Sequence, residues 1–155
     1  MSDETVLVRD VGDDDAEALS QLMTAFTGLA TTPAQVLQRL HRSRGIEHPV
    51  VAELNGQTVG FASLRLVPYL GEEAPYAEIS ELYVLEGYRR RGIGRALMTE
   101  LEAQARASGA TCLNVLTGAD NEPALALYRS MGLREFSVAL QTWFSDDRPY
   151  SEGQL

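Results

Sequence analysis

Between Gly87 and Thr99 the chain carries four arginines, Arg89, Arg90, Arg91 and Arg95, and no acid. Gly92 and Gly94 interrupt them, and Ile93, Leu97 and Leu101 follow at helical spacing. Such residues at the start of a helix suit an anion. The first N–H groups of a helix have no intrahelical partner and lie at the positive end of its dipole. Glycine lets the backbone approach a ligand with no Cβ in the way. No Gly-Lys-Ser/Thr follows, which excludes a Walker-type phosphate loop. A dinucleotide fingerprint fits poorly, since its third glycine would fall at Leu97 and arginines precede Gly92. Further along, Asn121 and Tyr128 are seven apart and so share one helix face across two turns. Taken alone, Tyr128 reads as a buried core tyrosine.

These residues need elements to hold them. Thr5–Arg9 is β-branched and apolar, a first strand. Asp13-Asp14-Asp15 opens a helix carrying Ala18, Leu22 and Phe26, and the three acids read as a solvated cap. Thr32-Pro33 is an N-cap followed by proline at the first helical position, with Val36, Leu37 and Leu40 as the apolar stripe. Pro49–Leu54 is a strand, Asn55-Gly56 a hairpin turn, and Thr58–Val67 the returning strand. Ala77–Leu85 is a fourth strand, Gly92–Ala107 a helix and Thr111–Leu116 a fifth strand. Glu122–Met131 is a helix and Arg134–Phe144 a last, long strand. That order predicts a mixed sheet with helices packed on it.

The 155 residues and 17.0 kDa favour one domain, 1–155, able to bury about two-thirds of its surface. No repeat or Gly/Ser linker divides the chain. Hydrophobic residues at 45% and charged residues at 23% exclude wholesale disorder. No apolar run is long enough for a membrane span and the first residues do not resemble a signal peptide, so a cytoplasmic protein is expected. One cysteine, Cys112, excludes an internal disulfide and a multi-cysteine metal site, and reads as a small core residue. His41 and His48 read as surface residues. All thirteen basic residues are arginine; removing the +4 of the cluster from the net −9 leaves −13 on the rest. One positive spot on an acidic body suits a compact anionic ligand, not a nucleic acid.

Two motifs together carry a resemblance. Arg89-x-x-Gly92-x-Gly94, after a strand and opening a helix, resembles the acetyl-CoA signature of the GNAT superfamily of N-acetyltransferases. Asn121-x-x-Ala124-x-x-x-Tyr128-x-x-x-Gly132 falls where that family carries its second motif. The matching motifs occupy about 77–133, and the N-terminal third agrees only in its pattern of elements. The resemblance implies an α/β (α+β) fold: a single mixed, largely antiparallel sheet of about six to seven strands. About four helices would flank it, with a V-shaped splay between the two central strands.

It also implies acetyl-CoA as co-substrate, with no metal, and direct transfer to a primary amine in a ternary complex. Arg89, Arg90, Arg91, Gly92, Ile93, Gly94, Arg95 and Ala96 would wrap the pyrophosphate. Leu82, Tyr83 and Val84 would pair with the pantetheine arm, the Val84 amide holding the thioester carbonyl, and Asn121 would hydrogen-bond the pantetheine. Tyr128 would protonate the departing thiolate. Glu78 and Glu81 are the candidate bases. Their odd separation puts them on opposite faces of a regular strand, unless a bulge shifts the parity. Leu116 stands where the branch acting on ribosomal proteins has a glutamate, and the stretch Glu78–Val84 resembles small-amine branches. A small cationic amine is therefore the expected acceptor. Protein or peptide acetylation, or a non-catalytic acyl-CoA sensor, are the alternatives, and the oligomeric state is open, a homodimer included.

Overall fold

Asn55 and Gly56 adopt positive φ, 52° and 79°, and so form the tight turn whose twist suits a hairpin. They join β2 (Glu47–Leu54) to β3 (Gln57–Val67). The computed structural model describes residues 4–144, which divide into two compact units at Val115/Leu116. The first unit holds a five-stranded sheet. Its other strands are β1 (Val6–Asp10), β4 (Tyr76–Val84) and β5 (Leu113–Val115), in spatial order β1-β2-β3-β4-β5. The first three pairings are antiparallel and β4 with β5 is parallel.

Helices cover both faces. On one lie α1 (Ala16–Thr27) and α2 (Pro33–Arg42), whose Leu19, Leu22 and Val36 pack with Val51 and Phe61 of the sheet. The α2 start is a capping box: the Thr32 hydroxyl accepts from Gln35 N–H, and the Gln35 side chain accepts from Thr32 N–H. Phe26, Phe61 and Tyr83 form an aromatic cluster over this face, with centroids 5.1–6.4 Å apart. On the other face lies α3 (Ile93–Ala107), seated through Gly60 of β3. A Cβ at Gly60 would stand 3.0 Å from the Tyr83 carbonyl oxygen and 3.4 Å from Ile93 and Leu97 side chains. Glycine there sets how closely α3 approaches the sheet.

The second unit contains α4 (Glu122–Ser130), which ends as Leu133 N–H bonds back to the Tyr128 carbonyl. Four helices match expectation; the strand count does not. The described residues contain five strands rather than six to seven, because 134–144 form none. That segment alternates as a strand should, yet Phe136, Val138, Leu140 and Phe144 are 85–100% exposed. A strand requires a ladder partner, and α4 is the only regular element among the described residues of its own unit. Two smaller expectations also change. Cys112 is exposed, one residue before β5, rather than in the core. Asp15 is buried rather than solvated, its carboxylate taking two hydrogen bonds from Arg9, at 2.8 and 2.9 Å, and one from Gly12 N–H. His41 and His48 are exposed as expected, His41 lying 2.9 Å from Asp13. Among the described residues no helix is long and apolar enough to cross a membrane.

Candidate active site

β5 pairs with only three residues of β4, Ala77, Glu78 and Ile79. From Glu81 to Val84, β4 keeps its β3 partner but has no strand on its other edge among the described residues. Backbone groups alternate along a strand, and Leu85 N–H bonds to Val59 on the β3 side at 2.9 Å. Val84 and Leu82 therefore turn their N–H and C=O groups to the open edge. The Val84 carbonyl there accepts a 3.0 Å bond from Arg89 Nε, which leaves the Val84 N–H as a donor on that edge. Tyr83 differs: its backbone faces β3 and its ring lies in the aromatic cluster, so it builds the strand rather than the edge.

The open edge leads through Leu85 and a 3-10 turn (Glu86–Tyr88) into the arginine loop. Arg89 also lies over the Tyr83 ring, its guanidinium 5.5 Å from the centroid. Arg91 pairs with Glu4 and covers Tyr88. Arg90 is exposed, at φ 64°. The arginines are thus unequal: Arg89 and Arg91 brace the loop, while Arg90 is exposed. Gly92 caps α3 at φ 79°, with nothing within 4 Å of where a Cβ would be. It has no side chain to cap the first turn, so the N–H groups of Ile93 and Gly94 remain without intrahelical partners. Ala96 N–H makes the first helical bond, to Gly92 O at 3.0 Å.

A polar row crosses the sheet below the aromatic cluster. Ser63 pairs with Glu81 and Leu64 with Ile79, so Ser80 is an extra residue in β4. This bulge cancels the odd spacing of Glu78 and Glu81 and brings both to one face. Arg65, opposite both Glu47 and Glu78, binds Glu47 Oε1 through Nε (2.9 Å) and Nη2 (2.6 Å), and Glu78 at 3.3 Å. The other Glu47 oxygen accepts from Ser63 Oγ at 2.5 Å and Ser80 Oγ at 2.6 Å. Glu47 is half-buried, which alone opposes its charge, but these hydroxyls and Arg65 hold its carboxyl below the usual range. Burial pushes Glu81 up, and the charge of Glu47 adds to this, against Arg65 and Arg39. Two carboxylates are thus driven apart in proton affinity, the pattern of an acid–base site. Glu47 also borders a cleft of about 350 Å³ with Asp13, Leu40, Arg44 and Pro49.

In the second unit Asn121 caps α4, its Oδ1 accepting from Ala124 N–H and its amide donating to Thr117 Oγ1. Tyr128, two turns on, is buried, and burial raises its hydroxyl pKa, keeping the proton on.

A match to the acetyltransferase (GNAT) family covers residues 16–133, about three-quarters of the chain. The chain belongs to that family. This acetyltransferase-family chain is 42% identical over 92 residues to the N-alpha-acetyltransferase RimI of Mycobacterium tuberculosis. That match covers 59% of the chain and 54% of the relative, so the chain spans about half the relative's length. It is 30% identical over 132 residues to aminoglycoside N(6')-acetyltransferase type 1 of Stenotrophomonas maltophilia, covering 83% of the chain and 86% of the relative. A solved structure, a putative acetyltransferase from Agrobacterium tumefaciens, matches with a TM-score of 0.78 at 27% identity. It covers 88% of this chain and 99% of that one.

Glu47, Ser63, Arg65 and Ser80 escaped the sequence reading. No motif marks them. Glu47 precedes Pro49 in what reads as the approach to a strand, and only sheet register brings it opposite Arg65. Ser80 lies inside the Glu78–Glu81 stretch, but its role depends on a bulge that residue types alone do not reveal.

Proposed function

We propose that the chain is an acetyl-CoA-dependent N-acetyltransferase acting on a primary amine, and that residues 1–155 form one domain for it. The family match runs across the division at Val115, which supports the single-domain reading. The observation that carries the function is the open edge of β4. It offers backbone groups to an extended arm, begins beside Glu81, and leads to the uncapped start of α3. Coenzyme A has a matching layout: an amide-bearing arm, a thioester at one end and phosphates at the other.

An amine with a pKa near ~10.4 is free of its proton in only about one molecule in 2,500 at neutral pH. Glu81, raised above an ordinary glutamate, takes that proton through water. The amine attacks the thioester carbonyl, and the Val84 N–H stabilises the oxyanion. The C–N bond forms, the C–S bond breaks and nitrogen sheds its second proton to water. Tyr128 supplies the proton for the departing thiolate, a role its raised hydroxyl pKa permits. Glu78, tied to Arg65, serves the framework of the site. Ile93, Gly94 and Arg95 present the first turn of α3 to the pyrophosphate, Arg90 adds charge, and Ala96, whose N–H is bound to Gly92 O, completes that turn. Asn121 is assigned to the pantetheine arm.

A small cationic amine is the acceptor we favour. Glu47, Glu78 and Glu81 share one face of the sheet with a single arginine among them, and the chain outside the arginine loop carries −13. A peptide N-terminus is the second reading, supported by the likeness to an N-alpha-acetyltransferase. Thiol release from acetyl-CoA across a panel of polyamines, aminoglycosides and peptides tests both. Turnover with small amines is expected; turnover with peptides alone selects the second reading. Coenzyme A binding with no turnover on any amine overturns the enzyme.

A further inference from the structure

The serine hydroxyls nearest Glu81 do not serve it. Ser80 precedes it in the chain and Ser63 faces it across the ladder, yet both donate to Glu47, from the next strand but one. Glu81 accepts no side-chain hydrogen bond among the described residues. Glu47 itself is locked. Arg65 takes one oxygen, the two hydroxyls take the other, and its side chain is only 18% exposed. A carboxylate so held keeps its charge and does not move.

We infer that Glu47 is the positioning residue of the proposed base: it draws the Ser63 and Ser80 hydroxyls away from Glu81 and fixes a negative charge beside it. Both effects act on Glu81 in the same direction. Hydrogen bonds to a carboxylate favour its charged form, so removing the donors makes Glu81 hold a proton better. A like charge nearby works in the same direction. The groups facing Glu81 from other elements are few. Arg65 of β3 and Arg39 of α2 favour its ionised form, and Glu47 of β2 opposes it. Glu78, on its own strand, is turned to Arg65. Burial does most to make Glu81 a stronger base than a solvent-exposed glutamate, and Glu47 is the charged member of this set that adds to it. The inference rests on the reading of Glu81 as the base, but its test need not.

Carboxyl carbon NMR titration of the full chain reads the coupling directly, with Glu47→Gln and Glu81→Gln spectra assigning the two signals. In the unsubstituted protein Glu47 is expected to titrate below the ordinary glutamate value and Glu81 above it. In Glu47→Gln the Glu81 midpoint is expected to fall. The acid limb of kcat/KM should fall by the same amount, while KM for acetyl-CoA stays. An unchanged Glu81 midpoint in a folded Glu47→Gln overturns the inference. Should that variant not fold, the unsubstituted protein decides: equal midpoints, or Glu81 below Glu47, overturn it equally. If the NMR midpoint moves but Glu81→Gln leaves the rate profile intact, the coupling stands and the base assignment fails.

Discussion

Glu78 and Glu81, three apart on β4, present their carboxylates to the same face of the sheet. Ser80 is an extra residue opposite the Ser63/Leu64 step, and the bulge reverses the alternation between them. The two are nonetheless inequivalent. Glu78 meets Arg65 at 3.3 Å, whereas Glu81 is partly buried and feels the charge of Glu47.

Glu81→Gln should therefore lower kcat by about 10²- to 10⁴-fold, the usual weight of one acid–base group. Its residual rate should rise towards high pH, where more free amine exists unaided. Glu78→Gln should keep the shape of the profile. In the unsubstituted protein, with Glu81 as the base, the acid limb of kcat/KM should lie above the ordinary glutamate value of about 4.3, because burial raises Glu81. Profiles that are identical for all three proteins exclude both glutamates as the base.

Glu47→Gln and Glu81→Gln should move stability in opposite directions. Glu47 lies below its unfolded pKa, so it stabilises the fold at pH above the unfolded value and loses that effect as pH falls through the folded one. Glu81 lies above its unfolded pKa, so its contribution is full at low pH and vanishes as pH rises through its folded value. At neutral pH Glu47→Gln should cost about 2 kcal/mol, since it weakens charged hydrogen bonds to Arg65, Ser63 and Ser80. Glu81→Gln should raise Tm while removing activity, since an ionised group at odds with its surroundings is gone. Denaturant titrations at neutral pH and near pH 4 check both signs; a lower stability for Glu81→Gln at neutral pH contradicts the site as described.

Two glycines place the arginine loop, and they should fail differently. Gly92→Ala puts a left-handed alanine at the α3 cap, costing about 1–2 kcal/mol of stability, with open space around the new methyl. Coenzyme A affinity should nevertheless collapse, because the methyl stands where phosphate must approach the helix start. Gly60→Ala acts from a distance: its methyl meets the Tyr83 carbonyl at 3.0 Å and pushes on Ile93 and Leu97. Overpacking there should cost about 1–3 kcal/mol, and more weakly lower the affinity by shifting α3. Calorimetric titration with coenzyme A, alongside thermal melts, separates the two. Unchanged affinity in a folded Gly92→Ala removes the phosphate assignment.

What the residues disclosed and what they withheld divide along the reach of local chemistry. Thr32-Pro33, Asn55-Gly56 and the arginine–glycine loop each act within a few residues, and each is visible as a cap, a turn or a helix start. Glu78 and Glu81 are recognisable as candidates, but their common face depends on how β3 and β4 align at one step. Glu47 is sixteen residues and a hairpin away from Ser63 and eighteen from Arg65, so nothing near it announces Ser63, Ser80 or Arg65. Alternation in 134–144 shows that the segment is suited to a strand, without showing a ladder partner. Cys112 looks like core material by type, but exposure is decided by where β5 begins.

Salt should discriminate among the arginines. Arg90 is exposed, and surface attraction to phosphate fades as ionic strength rises. Arg90→Ala should weaken coenzyme A binding at low salt and flatten its salt dependence, with little change in Tm. Arg89→Ala should lower Tm, because it releases the Val84 carbonyl and uncovers the Tyr83 ring. Equal salt slopes for Arg90→Ala and the unsubstituted protein would show that Arg90 is remote from the phosphates.

Tyr128 has one weight as a buried side chain and another as a residue of the family's second motif. Taken alone it is a buried tyrosine of α4, and burial raises its hydroxyl pKa. A hydroxyl that keeps its proton more firmly is a poor base, but it can still serve the stronger base that a departing thiolate becomes. Tyr128→Phe deletes one oxygen from a buried ring and leaves the packing volume almost intact. Coenzyme A affinity and far-ultraviolet dichroism should therefore persist. The chemical step should slow by about 10²- to 10⁴-fold, and single-turnover kinetics should place the loss in acetyl transfer rather than in product release. An acetyl donor with a more acidic thiol should recover part of the rate, because its leaving group needs the proton less. A Tyr128→Phe enzyme with unchanged single-turnover rate would assign that proton to water and return Tyr128 to the core.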